Sequence, residues 1–171
     1  VGVSVQTAVG SVALTAAGAQ QLAAEGGEVR FSLARETSAA EETDTFTVEV
    51  KVGSRTLETI DGGIRVNLPA GTSSVWAVVA AVQTDGSLAV IPKSAVDKTG
   101  AKALLDGTAT LCVIDSPRAF SDVREGDWFE SNVAFAVARG LFQGVSETQF
   151  APNDPMTRAM FVTVVHRLEG L

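Results

Sequence analysis

Thr45-Phe46-Thr47-Val48-Glu49-Val50-Lys51-Val52 alternates strictly between polar and apolar side chains. In an extended chain successive side chains point to opposite faces, so Phe46, Val48, Val50 and Val52 share one side. That pattern describes a strand with one buried face and one wet face, and the flanking sequence continues it. Ile64-Arg65-Val66-Asn67-Leu68 alternates in the same way until Pro69, which has no N–H to give a ladder, stops it. Val75 to Gln83, the turn Asp85-Gly86 and Leu88 to Ile91 read as a hairpin. Residues 93–96 and 101–105 read as a second hairpin around Asp97 to Gly100, and Thr108 to Ile114 as a closing strand. One short helix interrupts the strands. Thr15 is its N-cap, Ala16 to Ala24 is rich in helix formers, and Gly26-Gly27 ends it before Val29 to Leu33 resumes as strand. The acidic stretch Glu36 to Asp44 reads as a solvated loop.

After Ser116-Pro117-Arg118 the period becomes helical. Asp127 with Glu130 three residues on fits a capping box with Asp in place of Ser or Thr. The helix it predicts runs to about Arg139, with Gly140 at the C′ position and Leu141 placed for the hydrophobic contact that follows such a cap. Pro152 and Pro155 keep the next segment extended, and Thr157 starts a second helix over Arg158 to Glu169. That second helix is expected to bury Phe161, Val164, Val165 and Leu168. The first helix is apolar on two sides, with Phe129, Val133, Ala136 and Val137 on one and Trp128 and Phe135 on the other, so it needs two neighbours. A unit of roughly 50 residues cannot supply a large core alone. It is therefore expected to pack on further copies, on another chain or on the β-rich region. The fold class is α+β: a β-rich, sandwich-like domain with one short helix over residues 1–116, then a small helix–loop–helix unit over 117–171.

The 171 residues are 46% hydrophobic and 19% charged, with 13 Lys and Arg against 20 Asp and Glu for a net charge of −7. That balance argues against general nucleic-acid binding, which needs a basic face. Residues 118–171 carry 5 basic and 7 acidic side chains, so an anionic ligand there is compatible with the local charge. No stretch reaches the length of a membrane span, and no basic leader opens the chain. Val1 is no natural start, so a longer protein is expected. The single cysteine, Cys112, excludes an internal disulfide and reads as an inert, partly buried thiol.

Taken together, the punctuation of the last third resembles the S-layer homology repeat. Repeats of that family open on Phe-x-Asp-Val, start their first helix on an aromatic residue, place Gly after it, turn through Gly to Phe-x-Pro, and start the second helix on Thr-Arg-Ala-Glu. Here those positions read Phe120-Ser121-Asp122-Val123, Trp128-Phe129, Gly140, Gly144 with Phe150-Ala151-Pro152, and Thr157-Arg158-Ala159-Met160. Met160 replaces the family's Glu, which removes the reciprocal half of a capping box, and the family's second turn glycine falls at Thr148. The β-rich region looks, more loosely, like domains that precede such repeats in Gram-positive surface proteins. The resemblance implies helical units, usually three copies in one assembly, on the outside of a bacterial cell wall. It implies a secondary cell-wall polysaccharide as partner, often carrying pyruvate ketals, bound between copies. Further repeats or self-association would complete the device.

On this reading the candidate ligand-binding residues are Arg158, Trp128, Asp122 and Thr157. Arg158, at the first position of a helix, faces the positive end of the helix dipole, and a nearby anion would reverse that unfavourable placement. Its bland alternative is an ion pair with Asp122 or Asp154. Trp128 either stacks on a sugar face or packs in a core. Asp122 orients Arg158, contacts a sugar hydroxyl, or bonds backbone N–H groups in a turn. His166, the only histidine, reads as solvated, and Trp76 as core. The acidic residues Glu36, Glu41, Glu42 and Asp44 lack the spacing of a calcium loop, and no metal or cofactor is expected. No nucleophile elbow, phosphate loop or His-x-x-x-His helix occurs, so the chain is read as non-catalytic. Two other readings stay open: an adhesion module in which the β-rich domain binds a protein or glycan, and a non-catalytic part of a larger cell-wall enzyme.

Overall fold

The computed structural model describes residues 3–37 and 43–169. In chain order the elements are β1 (Ser4–Thr7), β2 (Gly10–Leu14), α1 (Ala16–Glu25), β3 (Val29–Thr37), β4 (Asp44–Val52), β5 (Arg55–Thr56), β6 (Ile64–Leu68), β7 (Ala77–Val82), β8 (Leu88–Val90), β9 (Ser94–Asp97), β10 (Gly100–Leu105), β11 (Ala109–Asp115), α2 (Glu130–Ala138) and α3 (Arg158–Glu169). The strands form two antiparallel sheets. One runs β1-β2-β6-β10-β9 and the other β3-β4-β11-β7-β8, with β5 beside β4.

The alternation that opens the sequence sets the core. Phe46, Val48 and Val50 of β4 are fully buried and meet Leu111 and Val79 of the same sheet, with Val12, Ile64 and Val66 of the other, in one cluster. Burial of side chains of this size contributes about 1.5–3 kcal/mol each. Both expected hairpins form, β7 with β8 and β9 with β10. The expected helix is α1. The Thr15 hydroxyl accepts from the N–H of Gly18 at 3.1 Å and donates to the carbonyl of Asp61 at 3.0 Å, so one side chain caps the helix and ties it to the loop before β6.

The acidic stretch is not all loop. Glu36 and Thr37 end β3 and pair with Thr45 and Asp44, because Arg35 bridges to the Asp44 carboxylate and the Thr37 hydroxyl donates to it, and these contacts carry the ladder outward. Residues 38–42, with Glu41 and Glu42 of the rejected calcium set, lie outside the described residues.

β7 is buried on both faces: Ala77, Val78, Val79 and Ala80 are all enclosed. Val79 faces the sandwich core. Val78 and Ala80 face the other way, in register with Ile114 and the buried Cys112 of β11. α2 covers that outer face. Its Ala134 and Ala138, four residues apart, are fully enclosed and are small enough to let a helix lie close to a sheet. Trp76, expected as core, precedes β7 and packs, partly buried, against the Phe120, Val133 and Val137 core of the helical unit. Of the alternatives for what the unit packs on, the β-rich region is one that this chain supplies.

Two helix expectations are corrected. The Asp127–Glu130 capping box does not form. The cap residue is Phe129, in α-like backbone with no side-chain bond, and the helix opens only at Glu130. The Asp127 carboxylate instead accepts from the N–H of Arg124 at 2.8 Å, and that of Glu130 from the N–H of Gly126 at 2.8 Å, so both acids close the preceding turn. The stripe expected to be buried on α3 is largely open: Phe161 is 57% exposed, Val165 and Leu168 are exposed, Val164 is half-buried, and no residue of α3 is fully buried. The reason is that the unit's small core is filled from α2 and the loops, by Phe120, Phe129, Phe142 and Phe150, while polar ties hold the far end of α3. Arg167 donates to the carbonyl of Leu141 at 3.0 Å, and Glu169 pairs with Lys93 at 2.7 Å.

Candidate functional site

The start of α3 is positioned by three loops locked together. The rings of Phe120 and Phe150 meet edge to face at 5.5 Å, and Phe142 lies 6.1 Å from Phe150. The Asp122 carboxylate straddles the strap that leads to α3: one oxygen accepts from the N–H of Phe150 at 2.9 Å and the other from that of Ala151 at 2.8 Å. These two N–H donors hold its carboxyl below the usual carboxylate range. Ser121 adds to the clamp, its N–H and hydroxyl both donating to the carbonyl of Thr148 at 2.8 and 3.0 Å. The strap needs such a hold because Ala151 has φ 59°, a left-handed conformation that a residue with a Cβ adopts at a cost. Asp122 therefore does what short acids in turns commonly do, and it bonds backbone rather than Arg158.

A folded carboxylate whose pKa is depressed adds stability that is fully present above its unfolded value and is lost as the pH falls through its folded value. The melting temperature of Asp122→Asn is accordingly expected to lie below the parent's at pH 6, with the gap closing towards pH 2. A gap that does not change over that range would contradict the clamp.

Thr157 caps α3, its hydroxyl accepting from the N–H of Met160 at 3.2 Å. Met160 at that third position has no carboxylate to return the bond. Arg158 follows, exposed, and among the described residues no ion pair joins it to Asp122, Asp154 or any other acid. Trp128 is 81% exposed, touching the ring of Phe129 edge-on at 5.4 Å. The sequence-derived set is thus only partly assembled. Asp122 and Thr157 build the platform for Arg158, while no contact joins Trp128 to the other three. A groove of about 520 Å³ runs between the strap and α3, lined by Phe142, Gly144, Phe150, Asp154, Met160 and Arg167 among others, and none of the four candidates lines it.

Sequence reading passed over Arg139. It is 3% exposed, and its guanidinium lies between α2 and the sandwich. It donates to the carbonyls of Ser94 at 2.7 Å, Phe135 at 3.1 Å and Ala77 at 3.3 Å, and sits 3.7 Å from the centre of the Phe135 ring. Among the described residues no carboxylate pairs with it, and burial pulls its pKa down to about 10, which leaves it charged at neutral pH. The available signal was the unbroken apolar run Ala77 to Val82, which calls for cover on a second face.

The schematic order of Phe-x-Asp-Val, helix, glycine, Phe-x-Pro and Thr-Arg helix is that of one protein class. Residues 119–160 match the family model of the S-layer homology domain, and this stretch is such a domain. Over 54 residues, 30% of this chain, the sequence is 45% identical to the "Surface-layer 125 kDa protein" of Lysinibacillus sphaericus. The matched stretch spans 5% of that protein's length. No solved structure matches the chain. An S-layer homology domain behind a two-sheet region places the chain at a bacterial cell surface, and domains of this kind bind cell-wall polymers.

Proposed function

We propose that the chain is a non-catalytic anchoring module that holds a surface protein to an anionic secondary cell-wall polysaccharide, of the kind that often carries pyruvate ketals. The division at residues 116–117 is part of this reading, with residues 117–171 as one S-layer homology unit and residues 1–116 as the spacer that presents the cargo. The observation that carries it is Arg158, an exposed cation with no acid partner among the described residues, on a capped helix whose first N–H groups are open to an anion. A ketal carboxylate there would take charge-assisted bonds from the guanidinium and gain from the helix dipole. Trp128 supplies an exposed apolar plane for a sugar face. Thr157 and Asp122 hold the platform.

Arg158→Ala is expected to weaken binding to purified wall polymer at least tenfold, about the worth of one charge-assisted hydrogen bond. Unchanged binding would refute the site. The open face of α3, with Phe161, Val165 and Leu168 in helical register, is the surface we assign to a further repeat or a second copy of this chain. The chain alone is expected to show a concentration-dependent mass above the monomer by light scattering, and Phe161→Lys to return it to a monomer. A strictly monomeric parent would count against self-association.

A further inference from the structure

A second anion-facing surface lies on the sandwich, away from the start of α3. It is a hollow of about 470 Å³ between the outer face of the β1-β2-β6-β10-β9 sheet and the helical unit. The strand pleat turns Arg65 and Asn67 of β6 outward, and β10 turns Lys102 to the same side. In the β6–β10 register Asn67 faces Lys102 and Arg65 faces Leu104, so Arg65 and Lys102 are diagonal neighbours, roughly 7 Å apart at their Cβ atoms. Lys93 adds a third cation, and none of the lining residues is acidic.

Behind the wall formed by Phe135 and Ser94 sits the Arg139 guanidinium, satisfied by carbonyl oxygens and a ring face rather than by an acid. Two carboxylates stand at the rim: Glu169 pairs with Lys93, and Asp97, which accepts from Thr99, also feels Lys102. The lining itself carries three cations and no acid, so the hollow is locally positive on a chain of net charge −7, although Glu58 and Asp106 line the adjoining hollow that shares Lys93 and Leu104. Like charges in neighbouring positions on a strand pair are mildly unfavourable, and an anion between Arg65 and Lys102 would offset that.

We propose that this hollow is a binding site for a carboxylated polysaccharide. A sugar ring would lie on the apolar surface of Phe135, a sugar hydroxyl would bond the part of the Asn67 amide left over from its 2.8 Å bond to the Ser11 hydroxyl, and the carboxylate would lie between Arg65 and Lys102. A chain of glycerol phosphates has the charge but no ring face to fill the apolar part. The site does not depend on Arg158.

The test titrates the full chain at low salt with oligogalacturonate, following backbone amide shifts by NMR. Shifts are expected at residues 65–67 and 102–104. Arg65→Glu with Lys102→Glu should lower the affinity at least tenfold, and Lys102→Met alone should flatten its salt dependence. Both positions lie on the solvent side of the sheet, so the far-UV spectrum should be unchanged. Arg158→Ala should leave these shifts in place, which separates failure of this site from failure of the helical one. The proposal is overturned if the parent chain does not bind, if the charge-reversed chain binds equally, or if neutral dextran, poly(glycerol phosphate) or duplex DNA competes as well as the uronate.

Discussion

Arg139→Ala should lower the stability of the chain by about 3 kcal/mol, the range expected when a buried charged group is removed and its partners are left unpaired. The guanidinium bonds both the sandwich, at Ser94 and Ala77, and its own helix, at Phe135. Its loss leaves the buried carbonyls of Ser94 and Ala77 and the part-buried one of Phe135 with fewer donors and strips the Phe135 ring of its cation. The effect should be visible in the emission of Trp76, which packs against Phe120, Val133 and Val137 at the same junction. Measured in a Trp128→Phe background, Trp76 should report unfolding together with far-UV dichroism in the parent chain. In Arg139→Ala its transition should come earlier. A melting curve that matches the parent's by both probes would mean that the junction is held by apolar packing alone.

The second large effect is expected at Gly144. Its φ is 79°, and a Cβ there would meet the carbonyl oxygen of Gln149 at 2.6 Å and the Phe120 ring at 2.7 Å. Gly144→Val combines a disfavoured backbone with two contacts that cannot relax independently, since Phe120 is fixed against Phe150 and Gln149 lies in the turn closed by Val145. A loss of about 3 kcal/mol follows from the cost of left-handed backbone plus overpacking. Gly140 provides the control. Its φ is 68°, but no atom lies within 4 Å of the added Cβ, so Gly140→Ala should cost only about 1–2 kcal/mol for the backbone. Chemical denaturation of the two variants side by side checks the difference; equal losses would mean that the Gly144 contacts carry no cost.

The contrast between these glycines shows what the sequence carried. Gly140 was legible as a helix stop because the C′ position has a fixed chemistry: its N–H bonds the carbonyl of Val137 at 2.8 Å, and that of Leu141 bonds Ala136 at 2.9 Å. Phe46, Val48 and Val50 were legible because a half-buried strand writes its environment into every second residue. Arg139 was not, since a cation in the last turn of a helix ordinarily reads as a surface complement to the dipole, and its partners Ser94 and Ala77 are 45 and 62 residues away. The α3 stripe shows the opposite limit. Its period correctly predicted a helix with an apolar face, but period says nothing about whether the surface that covers that face belongs to the same chain. For the candidate site, Thr157 was legible through capping chemistry, whereas the use to which Asp122 puts its two oxygens depended on a strap nearly thirty residues downstream.

The strand that leads into the helical unit has a mechanical consequence. β11 lies between β4 and β7, with Ala109 to Cys112 in register with one and Leu111 to Asp115 with the other. A pull on an anchor at the C-terminal end therefore enters the sandwich through an interior strand. Drawing that strand out must slide two ladders at once, so their hydrogen bonds share the load in parallel. A strand at a sheet edge would have one ladder in place of two to resist the same pull. On the anchoring role proposed above, the point of entry gives a pull along the strand two ladders to overcome in place of one.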